Sequence, residues 1–237
     1  MTQWGDNLNK NVHANHRQRM RKRFREHGAD NFHDHELLEM MLYYCYPRCD
    51  TNPIAHKFLN EFGNLQNLFE ANPESIKKRL NCTENVATYL SLISGITKRY
   101  LQSKWADKPS LTNHELAGEY SISLLFGEQV ECFYLLCLDT QKRLLRTIKA
   151  AAGTIDEVSI FTREIVKHVV ENHAAYVILA HNHPGGSIVP SNEDRILTTT
   201  IANALDVVHV KIVDHIVVGG DKYYSFARRK DPPTTGY

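Results

Sequence analysis

The sequence predicts a mixed α/β (α+β) domain that follows a small all-helical domain. The first 104 residues carry apolar side chains at helical spacing and contain no strand-like segment. After the polar, proline-containing stretch SKWADKPS (103–110), short β-branched and aromatic segments alternate with helical ones. We therefore expect a helical leader domain over residues 1–104 and a mixed domain over residues 105–237.

Five segments of the leader domain have a helical pattern. In DHELLEMMLYYCY (34–46) the leucines and methionines form one stripe, Asp34 can cap the start and Pro47 ends the helix. TNPIAHKFLNEF (51–62) opens with capping residues and Pro, and Gly63 follows it. The remaining helices are predicted in NLQNLFEA (64–71), NPESIKKRL (72–80) and ENVATYLSLISGITKRYLQ (84–102).

The second domain is predicted to combine four or five strands with two helices. ECFYLLCLDTQKRLLRTIKAAAG (131–153) is typical of two strands around a turn at DTQK. YVILA (176–180), HVKIVDHIVVGG (209–220) and KYYSF (222–226) are further strand candidates, and within them we expect His209, Asp214 and His215 to be core or strand-end residues. Helices are predicted in TREIVKHVVENHAA (162–175), starting at Thr162, and in NEDRILTTTIANALDV (192–207).

The segment LAHNHPGGSIVPSNEDRIL (179–197) has the composition of a metal site. His181 and His183 end a strand, where residues two apart point to the same face. A Pro-Gly-Gly turn follows, Ser191 opens the next helix, and Asp194 lies in its first turn, where it can return over the histidines. Two imidazoles and one carboxylate suit Zn²⁺ with an open fourth position.

A hydrolytic zinc site also needs a general base, and Glu131 is the best upstream candidate. Ser191 and Asp194 also match the S-x-x-[DE] capping box, so a helix start alone would explain them. Two histidines two apart can also arise by chance in a chain with 13 of them. The ordered set of strand, His-x-His-Pro, glycine turn and Ser-x-x-Asp favours the metal site, and the capping role is compatible with it.

These residues resemble the JAMM motif of the JAB/MPN metallopeptidases. That motif is a Glu, then His-x-His-Pro, six residues, Ser, two residues and Asp, and its places are filled by Glu131, His181, His183, Pro184, Ser191 and Asp194. Over residues 17–227 the chain is similar to the bacterial RadC family, often labelled DNA repair proteins. ECFYLLCLDTQKRLL, AAYVILAHNHPGGSIVPSNEDRILTTTIANAL and KIVDHIVVGG carry that likeness in the second domain, and EHGADNFHDHELLEMMLYY carries it in the leader domain.

The resemblance implies an MPN/JAB-like sheet flanked by helices, behind a helix-hairpin-helix-like leader domain. It implies Zn²⁺ held by His181, His183 and Asp194, with Glu131 as general base for the attacking water and Ser191 as hydrogen-bond donor to the developing oxyanion. The implied reaction is hydrolysis of a peptide or isopeptide bond. Two features depart from the family: Gly185 replaces a serine at a position that is not a ligand, and NCTENVA (81–87) replaces a Gly-Ile-Gly hairpin that approaches DNA phosphates.

Charge is unevenly distributed along the chain. Residues 1–104 hold 15 Lys+Arg against 11 Asp+Glu, whereas residues 105–237 hold 13 against 16. A solvated helix face is the usual explanation of a basic run such as HRQRMRKRFR (16–25), although an anionic partner would relieve its repulsion. We expect at most modest, salt-sensitive, sequence-independent DNA binding through its six basic residues, Arg17, Arg19, Arg21, Lys22, Arg23 and Arg25.

Three functions compete at this point. The first is a zinc-dependent JAMM-type hydrolase that acts on an unknown peptide or protein substrate. The second is a DNA-binding repair or recombination accessory protein whose MPN domain is a scaffold or a metal-dependent nuclease, and the third is a metal-binding protein without turnover. The letters HNH (181–183) do not support a nuclease, because HNH nuclease residues are spread over tens of positions. With no signal-like start and a longest apolar run of only AAYVILA (174–180), a cytoplasmic location without a membrane span is expected.

Overall fold

A computed structural model of the chain describes residues 5–105, 107–153 and 158–237. These residues divide into two compact units, one up to Ser94 and one from Gly95 to Tyr237. The division lies inside a long helix, whereas the predicted domain boundary between residues 104 and 105 lies just after that helix ends. No helix in the described ranges is both long and apolar enough to cross a membrane.

The first unit is helical throughout its described residues, as the sequence predicts. Its helices are α1 (Gly5–His27), α2 (Asp34–Leu42), α3 (Asn52–Phe62), α4 (Leu65–Glu70), α5 (Pro73–Leu80) and α6 (Glu84–Ser103), the last of which continues into the second unit. Helices α2 to α6 each supply fully or nearly fully buried apolar side chains to one core. Among them are Leu38, Leu42, Phe58, Leu68, Ile76 and Leu90. Burying one large apolar side chain stabilises the fold by about 2 kcal/mol. This packing holds the short helices together.

The hairpin between α5 and α6 makes a tight turn without a glycine. Asn81 ends α5 in the left-handed conformation, with φ of 50°. Asparagine is the residue that most often replaces glycine there, because its short polar side chain tolerates this conformation. The Cys82 backbone N–H donates to the Lys77 carbonyl oxygen and completes the turn.

Two predicted helix starts are wrong. α2 begins at Asp34, so that His33 is its cap, because the Glu36 carboxylate accepts a hydrogen bond from the His33 backbone N–H. The helix predicted from Thr162, α8, runs over Val158–Glu171. Its buried stripe of Phe161, Ile165 and Val169 begins before Thr162, and this apolar spacing outweighs the local capping preference of threonine.

The second unit is built on a mixed five-stranded sheet. After α7 (His114–Leu125) come β1 (Cys132–Leu138), β2 (Leu144–Ala152), α8, β3 (Tyr176–Asn182), α9 (Asn192–Asp206), β4 (Lys211–Gly219), β5 (Lys222–Ser225) and α10 (Phe226–Arg229). The strand order is β2-β1-β3-β4-β5. All pairs are antiparallel except β3 and β4, which α9 connects in parallel. The predicted fold class is thus confirmed.

Helices cover both faces of this sheet. Successive residues of β1 alternate between the faces: Leu136 packs in a cluster with Ala117 of α7, and Leu135 packs in a cluster with Ile165 of α8 and Ile201 of α9. Because β3 is buried on both sides, its residues are apolar without alternation up to His181. The first polar side chains of β3 therefore lie at its carboxyl end, beside the start of α9.

Helix α7 was not among the elements predicted from the sequence. One reason is Gly118, a buried residue of this helix that has no apolar side chain. An added Cβ at Gly118 would lie 2.4 Å from the Tyr223 ring, so Tyr223 occupies the space of a side chain there. We expect Gly118→Ala to lower the free energy of unfolding of the second unit by about 1–3 kcal/mol through overpacking. Urea denaturation measures this change.

Gly95→Ala is the matched control, since Gly95 is also helical and an added Cβ there meets nothing within 4 Å. We expect this variant to be more stable than the wild type by about 0.5–1 kcal/mol, because alanine favours the helix. Equal effects of the two substitutions would show that the contact with Tyr223 is not the cause.

Candidate metal centre

The carboxyl end of β3 and the turn after it set the positions of two histidines. His181 is the second-last residue of β3 and His183 follows the strand directly. Pro184 then removes a backbone donor, and Gly186 adopts φ of 80°, a conformation that favours glycine. The Gly186 N–H donates to the His183 carbonyl oxygen over 2.9 Å and closes the turn. The chain thereby reverses toward α9 within a few residues.

The structure brings together His181, His183 and Asp194, the three ligands predicted from the sequence. The Nε2 atoms of the two histidines are 3.1 Å apart, and they lie 3.2 Å and 3.4 Å from the two Asp194 carboxylate oxygens. Ligands at about 2.0–2.1 Å from a tetrahedral ion are about 3.3–3.4 Å apart, so this spacing fits a metal ion. The donor set also fits, since these three side chains can converge on one ion.

The hydrogen-bond partner of the His183 ring favours metal binding. Its Nδ1 lies 3.0 Å from the Ser187 carbonyl oxygen, which can only accept a hydrogen bond. Nδ1 is therefore placed to donate a hydrogen bond there, and Nε2, the atom that faces Asp194, is the atom available to a metal ion. A ligand histidine whose other nitrogen donates to a carbonyl is a common arrangement in metal sites.

Asp194 is ionised in this environment. Burial alone would raise the pKa of its carboxyl, but the hydrogen bond and charge of His181, together with bonds from Ser191, hold that pKa well below its ordinary value. The Asp194 side chain is buried, and its contacts with His181 and Ser191 fix its position. The negative charge of this buried carboxylate, beside two imidazole nitrogens, favours the binding of a cation.

Ser191 and Asp194 also start helix α9, as the capping-box interpretation predicts. The Ser191 hydroxyl oxygen accepts from the Asp194 N–H over 3.0 Å, and the Asp194 carboxylate accepts from the Ser191 N–H over 2.7 Å. The capping interpretation is confirmed, and the same geometry is compatible with a metal-ligand role for Asp194. The helix cap orients the carboxylate that faces the two histidines, and the Ser191 hydroxyl retains a proton to donate elsewhere.

Glu131 lies outside the three-residue cluster, at the start of the neighbouring strand. It immediately precedes β1, its side chain is exposed, and its carbonyl oxygen accepts from the Gly153 N–H over 2.7 Å. In the pairing of β1 with β3, Phe133 is opposite His181. Continuing that antiparallel register by two residues predicts that Glu131 lies opposite His183 and on the same face of the sheet.

Asn182 ties the segment that carries Glu131 to the histidine strand. Its amide oxygen accepts from the Cys132 N–H over 2.8 Å, and its amide nitrogen donates to the Val130 carbonyl oxygen over 3.1 Å. Asn182 is buried and stands between the two histidines in sequence. The residue x of His-x-His therefore fastens the segment on either side of Glu131, next to the cluster.

Glu128 anchors the same segment through charge. Its carboxylate binds the Lys98 ammonium at 2.8 Å and the Lys149 ammonium at 3.0 Å. Burial acts to raise the pKa of Glu128, but hydrogen bonds from Lys98, Lys149 and Cys132 lower it to about 2. The Glu128 carboxylate therefore has a structural role. Glu131, in the same segment, is exposed to solvent.

His215 is a residue of the site whose role the sequence analysis missed. It was predicted to be a core or strand-end residue, and it is indeed fully buried in β4, but its Nε2 lies 2.8 Å from His181 Nδ1. Burial lowers the pKa of His215 well below its ordinary value. The available signal was the pair Asp214-His215 inside an apolar strand, because buried polar groups require partners.

Gly219, at the end of β4, gives the His183 turn its space. An added Cβ at Gly219 would lie 2.4 Å from the Gly186 carbonyl oxygen and 2.9 Å from the Ser187 carbonyl carbon. Because these are backbone atoms, Gly219→Ala must displace the turn and its bond to His183. We expect Zn²⁺ affinity, measured by competition with a chromophoric chelator, to fall about 10–100-fold, the usual loss for a group that supports a ligand.

Gly185→Ala is the control in the same turn. An added Cβ at Gly185 has no neighbour within 4 Å, so Zn²⁺ affinity should stay near that of the wild type. Equal Zn²⁺ affinities for the Gly219 and Gly185 variants would show that the close packing of Gly219 against the turn does not support His183.

Comparison with known proteins identifies the family of the chain. The profile of the RadC-like JAB domain matches residues 111–231. A UPF0758 protein of Fusobacterium nucleatum is 36% identical over 218 residues, which cover 89% of this chain and 94% of the relative. A UPF0758 protein of Vibrio cholerae is 35% identical over 88% of this chain and 93% of the relative. A UPF0758 protein of Pseudoalteromonas translucida is 34% identical over 90% of this chain and 95% of the relative. The chain therefore belongs to the RadC family of JAB-domain proteins.

Proposed function

We propose that this protein is a zinc-dependent JAMM-type hydrolase of peptide or isopeptide bonds. One observation carries the proposal: the Nε2 atoms of His181 and His183 and the Asp194 carboxylate converge at 3.1–3.4 Å from one another. Two imidazoles and one carboxylate are the donor set of many hydrolytic zinc sites, in which a fourth position stays open. Zinc, when bound, supplies a Lewis acid for the scissile carbonyl and lowers the pKa of a coordinated water molecule.

The chain's own residues would supply the proton transfers. Glu131 immediately precedes β1, and the register of β1 with β3 predicts that it lies opposite His183. It is proposed as the base that accepts a proton from the attacking water. The Ser191 hydroxyl is proposed to donate to the oxyanion that develops on the substrate, because its oxygen accepts from the Asp194 N–H and its proton is left to donate. Asn182 holds the Glu131 segment in place, so the base needs little reorganisation.

The test of this function is metal-dependent cleavage. The purified full-length protein is loaded with Zn²⁺ and incubated with a panel of linear peptides and lysine-linked isopeptides, and products are detected by mass spectrometry. We expect cleavage that a chelator abolishes and that added Zn²⁺ restores. Cleavage that survives complete removal of the metal would contradict the proposal.

A second candidate function, DNA binding in repair or recombination, is supported by the surface of α1. Four of the six Lys and Arg side chains in residues 16–25 are exposed, namely Arg19, Arg21, Lys22 and Arg25. The other two are engaged within the first unit: Arg17 donates to the Tyr46 and Pro47 carbonyl oxygens, and Arg23 forms a two-bond pair with Glu36. We therefore assign DNA contacts to the exposed four and structural roles to Arg17 and Arg23.

A mobility-shift titration at low salt tests this second candidate. We expect weak, sequence-independent binding that weakens steeply with salt, and replacement of the exposed four by glutamine should lower the salt slope by about 0.9 per lost phosphate contact. The control replaces four exposed basic residues of the second unit, Arg163, Lys167, Lys211 and Lys222. No binding by the wild type, or equal loss in both variants, would refute it. Metal-dependent DNA cleavage in the same mixtures would favour a nuclease over a peptidase.

A further inference from the structure

A pocket of about 240 Å³ lies between the end of α6, one face of α7 and the connection between these helices. Tyr120, Ser123 and Leu124 line it from α7, where their spacing of three and four residues places them on one side of the helix. Trp105 and Pro109 line it from the connection. The pocket therefore lies wholly within the second unit.

This pocket is separate from the metal cluster. Trp105, Tyr120 and Leu124 pack against the apolar cluster on the face of the sheet that α7 covers. His181 follows Leu179 by two residues in β3, so it lies on the other face, which α8 and α9 cover. None of the residues assigned above to the metal, the base or the oxyanion lines the pocket. Its role is therefore independent of the proposed hydrolysis.

Two aromatic rings in the pocket wall stand nearly at a right angle. The centroids of the Trp105 and Tyr120 rings are 5.3 Å apart, and the ring planes are inclined by 82°. The Tyr120 hydroxyl lies 2.9 Å from the Thr147 hydroxyl, and this hydrogen bond holds the ring and uses its polar atom. Aromatic rings arranged around one space bind alkylated ammonium groups, because the ring faces carry partial negative charge.

The polar groups of the pocket are mainly hydrogen-bond acceptors. The Ser123 hydroxyl donates its proton to the Tyr120 carbonyl oxygen over 2.7 Å, so its oxygen is left to accept. Asp107 lines the pocket, is exposed, and makes no ion pair or hydrogen bond with any residue that the structure describes. The Gln102 amide, at the end of α6, can both donate and accept. This set suits a positively charged ligand.

The neighbouring lysines do not supply that charge in the pocket. The Lys104 ammonium lies 4.6 Å from the centroid of the Tyr100 ring, and Lys108 is exposed. Among the described residues, no lysine or arginine lines the pocket. The Asp107 charge is therefore available to a bound cation.

We propose that this pocket binds a small organic cation with an alkylated ammonium head. Trp105 and Tyr120 contact the head in this assignment, and Asp107 supplies the opposite charge. The Ser123 oxygen accepts a hydrogen bond from any donor on the rest of the ligand. The volume is below the range of about 300–1,000 Å³ that is usual for drug-sized ligands, so the ligand is small. An anion would be repelled by Asp107.

Choline and its neutral isostere 3,3-dimethylbutan-1-ol test the proposal, because they share one shape and differ in charge. The full-length protein is titrated with each by calorimetry at constant ionic strength. The indole N–H signal of Trp105 is followed in ¹H–¹⁵N spectra and assigned with a Trp105→Phe variant, since the chain has two tryptophans. We expect choline to shift this signal and to bind at least about 10-fold more tightly than the isostere, because only the cation gains the cation–π contact. Equal affinities, or no binding of choline, would overturn the proposal.

Asp107→Asn and Trp105→Leu test the two parts of the site. Asp107→Asn removes the charge of an exposed residue and should weaken choline binding about 2–5-fold, as expected for a solvated ion pair. Trp105→Leu keeps an apolar side chain and should weaken it at least about 10-fold. Asp221→Asn is the matched control, since Asp221 is an exposed carboxylate between β4 and β5, and it should bind choline as the wild type does.

Equal choline affinities for the Asp107 and Asp221 variants would overturn the proposal. If Trp105→Leu does not fold, the isostere comparison and the Asp107 variant still decide. A peptide that carries trimethyllysine distinguishes the source of the cation: tighter binding than choline assigns the pocket to a protein side chain, and weaker binding assigns it to a free cation. A protein that binds choline but no Zn²⁺ would refute the proposed metal site and leave this pocket assigned.

Discussion

Replacing His181 and His183 together with alanine is expected to abolish stoichiometric zinc binding. The wild type should hold one zinc ion per chain by elemental analysis, and the double variant none, because Asp194 would be the sole remaining ligand of the cluster. A ligand that binds only the folded state also stabilises it, by about 2.7 kcal/mol when its free concentration is 100 times the dissociation constant. Added Zn²⁺ should therefore raise the melting temperature of the wild type and leave that of the double variant unchanged.

A matched control separates ligand loss from a general effect of removing histidines. His27 and His56 are exposed residues of the first unit, far in sequence from the metal cluster. The double alanine variant at these positions should bind zinc as the wild type does. Equal zinc content in the His181/His183 variant and the wild type would show that the ligands are assigned wrongly.

The sequence predicted those elements of the fold that have a clear hydrophobic pattern of their own. The strand YVILA is apolar without interruption and lies in the middle of the sheet, so its composition alone identifies it. Helix α7 was missed because small residues form its buried face: Gly118 packs against Tyr223, and the buried Ser121 hydroxyl donates to the Ala117 carbonyl oxygen of the same helix. Glycine and serine at buried positions leave no apolar stripe to detect.

The same distinction applies to the candidate site. His181, His183 and Asp194 lie within one strand, one turn and the first turn of one helix, and such local geometry follows from residue spacing. His215 comes from β4, and its contact with His181 depends on the parallel register that sets it beside Leu179. No local pattern fixes that register. The position of Glu131 depends in the same way on the antiparallel register of β1 with β3.

Glu131→Gln tests the register argument for the general base. Glutamine has nearly the same shape as glutamate but cannot take a proton at neutral pH, so the rate of hydrolysis should fall about 10²–10⁴-fold, the usual contribution of a general base. This loss corresponds to about 2.7–5.5 kcal/mol in the activation free energy. Zinc content and the free energy of unfolding should stay unchanged, since Glu131 is exposed and stands apart from the three-residue cluster. Steady-state kinetics on a cleaved peptide gives the comparison.

Glu119→Gln, at an exposed position of α7 on the other face of the sheet, serves as the control for the loss of one surface carboxylate. It should hydrolyse the peptide at the wild-type rate. A Glu131→Gln variant that binds zinc and is equally active would mean that another group accepts the proton. If instead that variant loses its zinc, Glu131 contributes to metal binding rather than to proton transfer. The two readouts together therefore distinguish a base from a ligand, because only a base lowers the rate at full zinc occupancy.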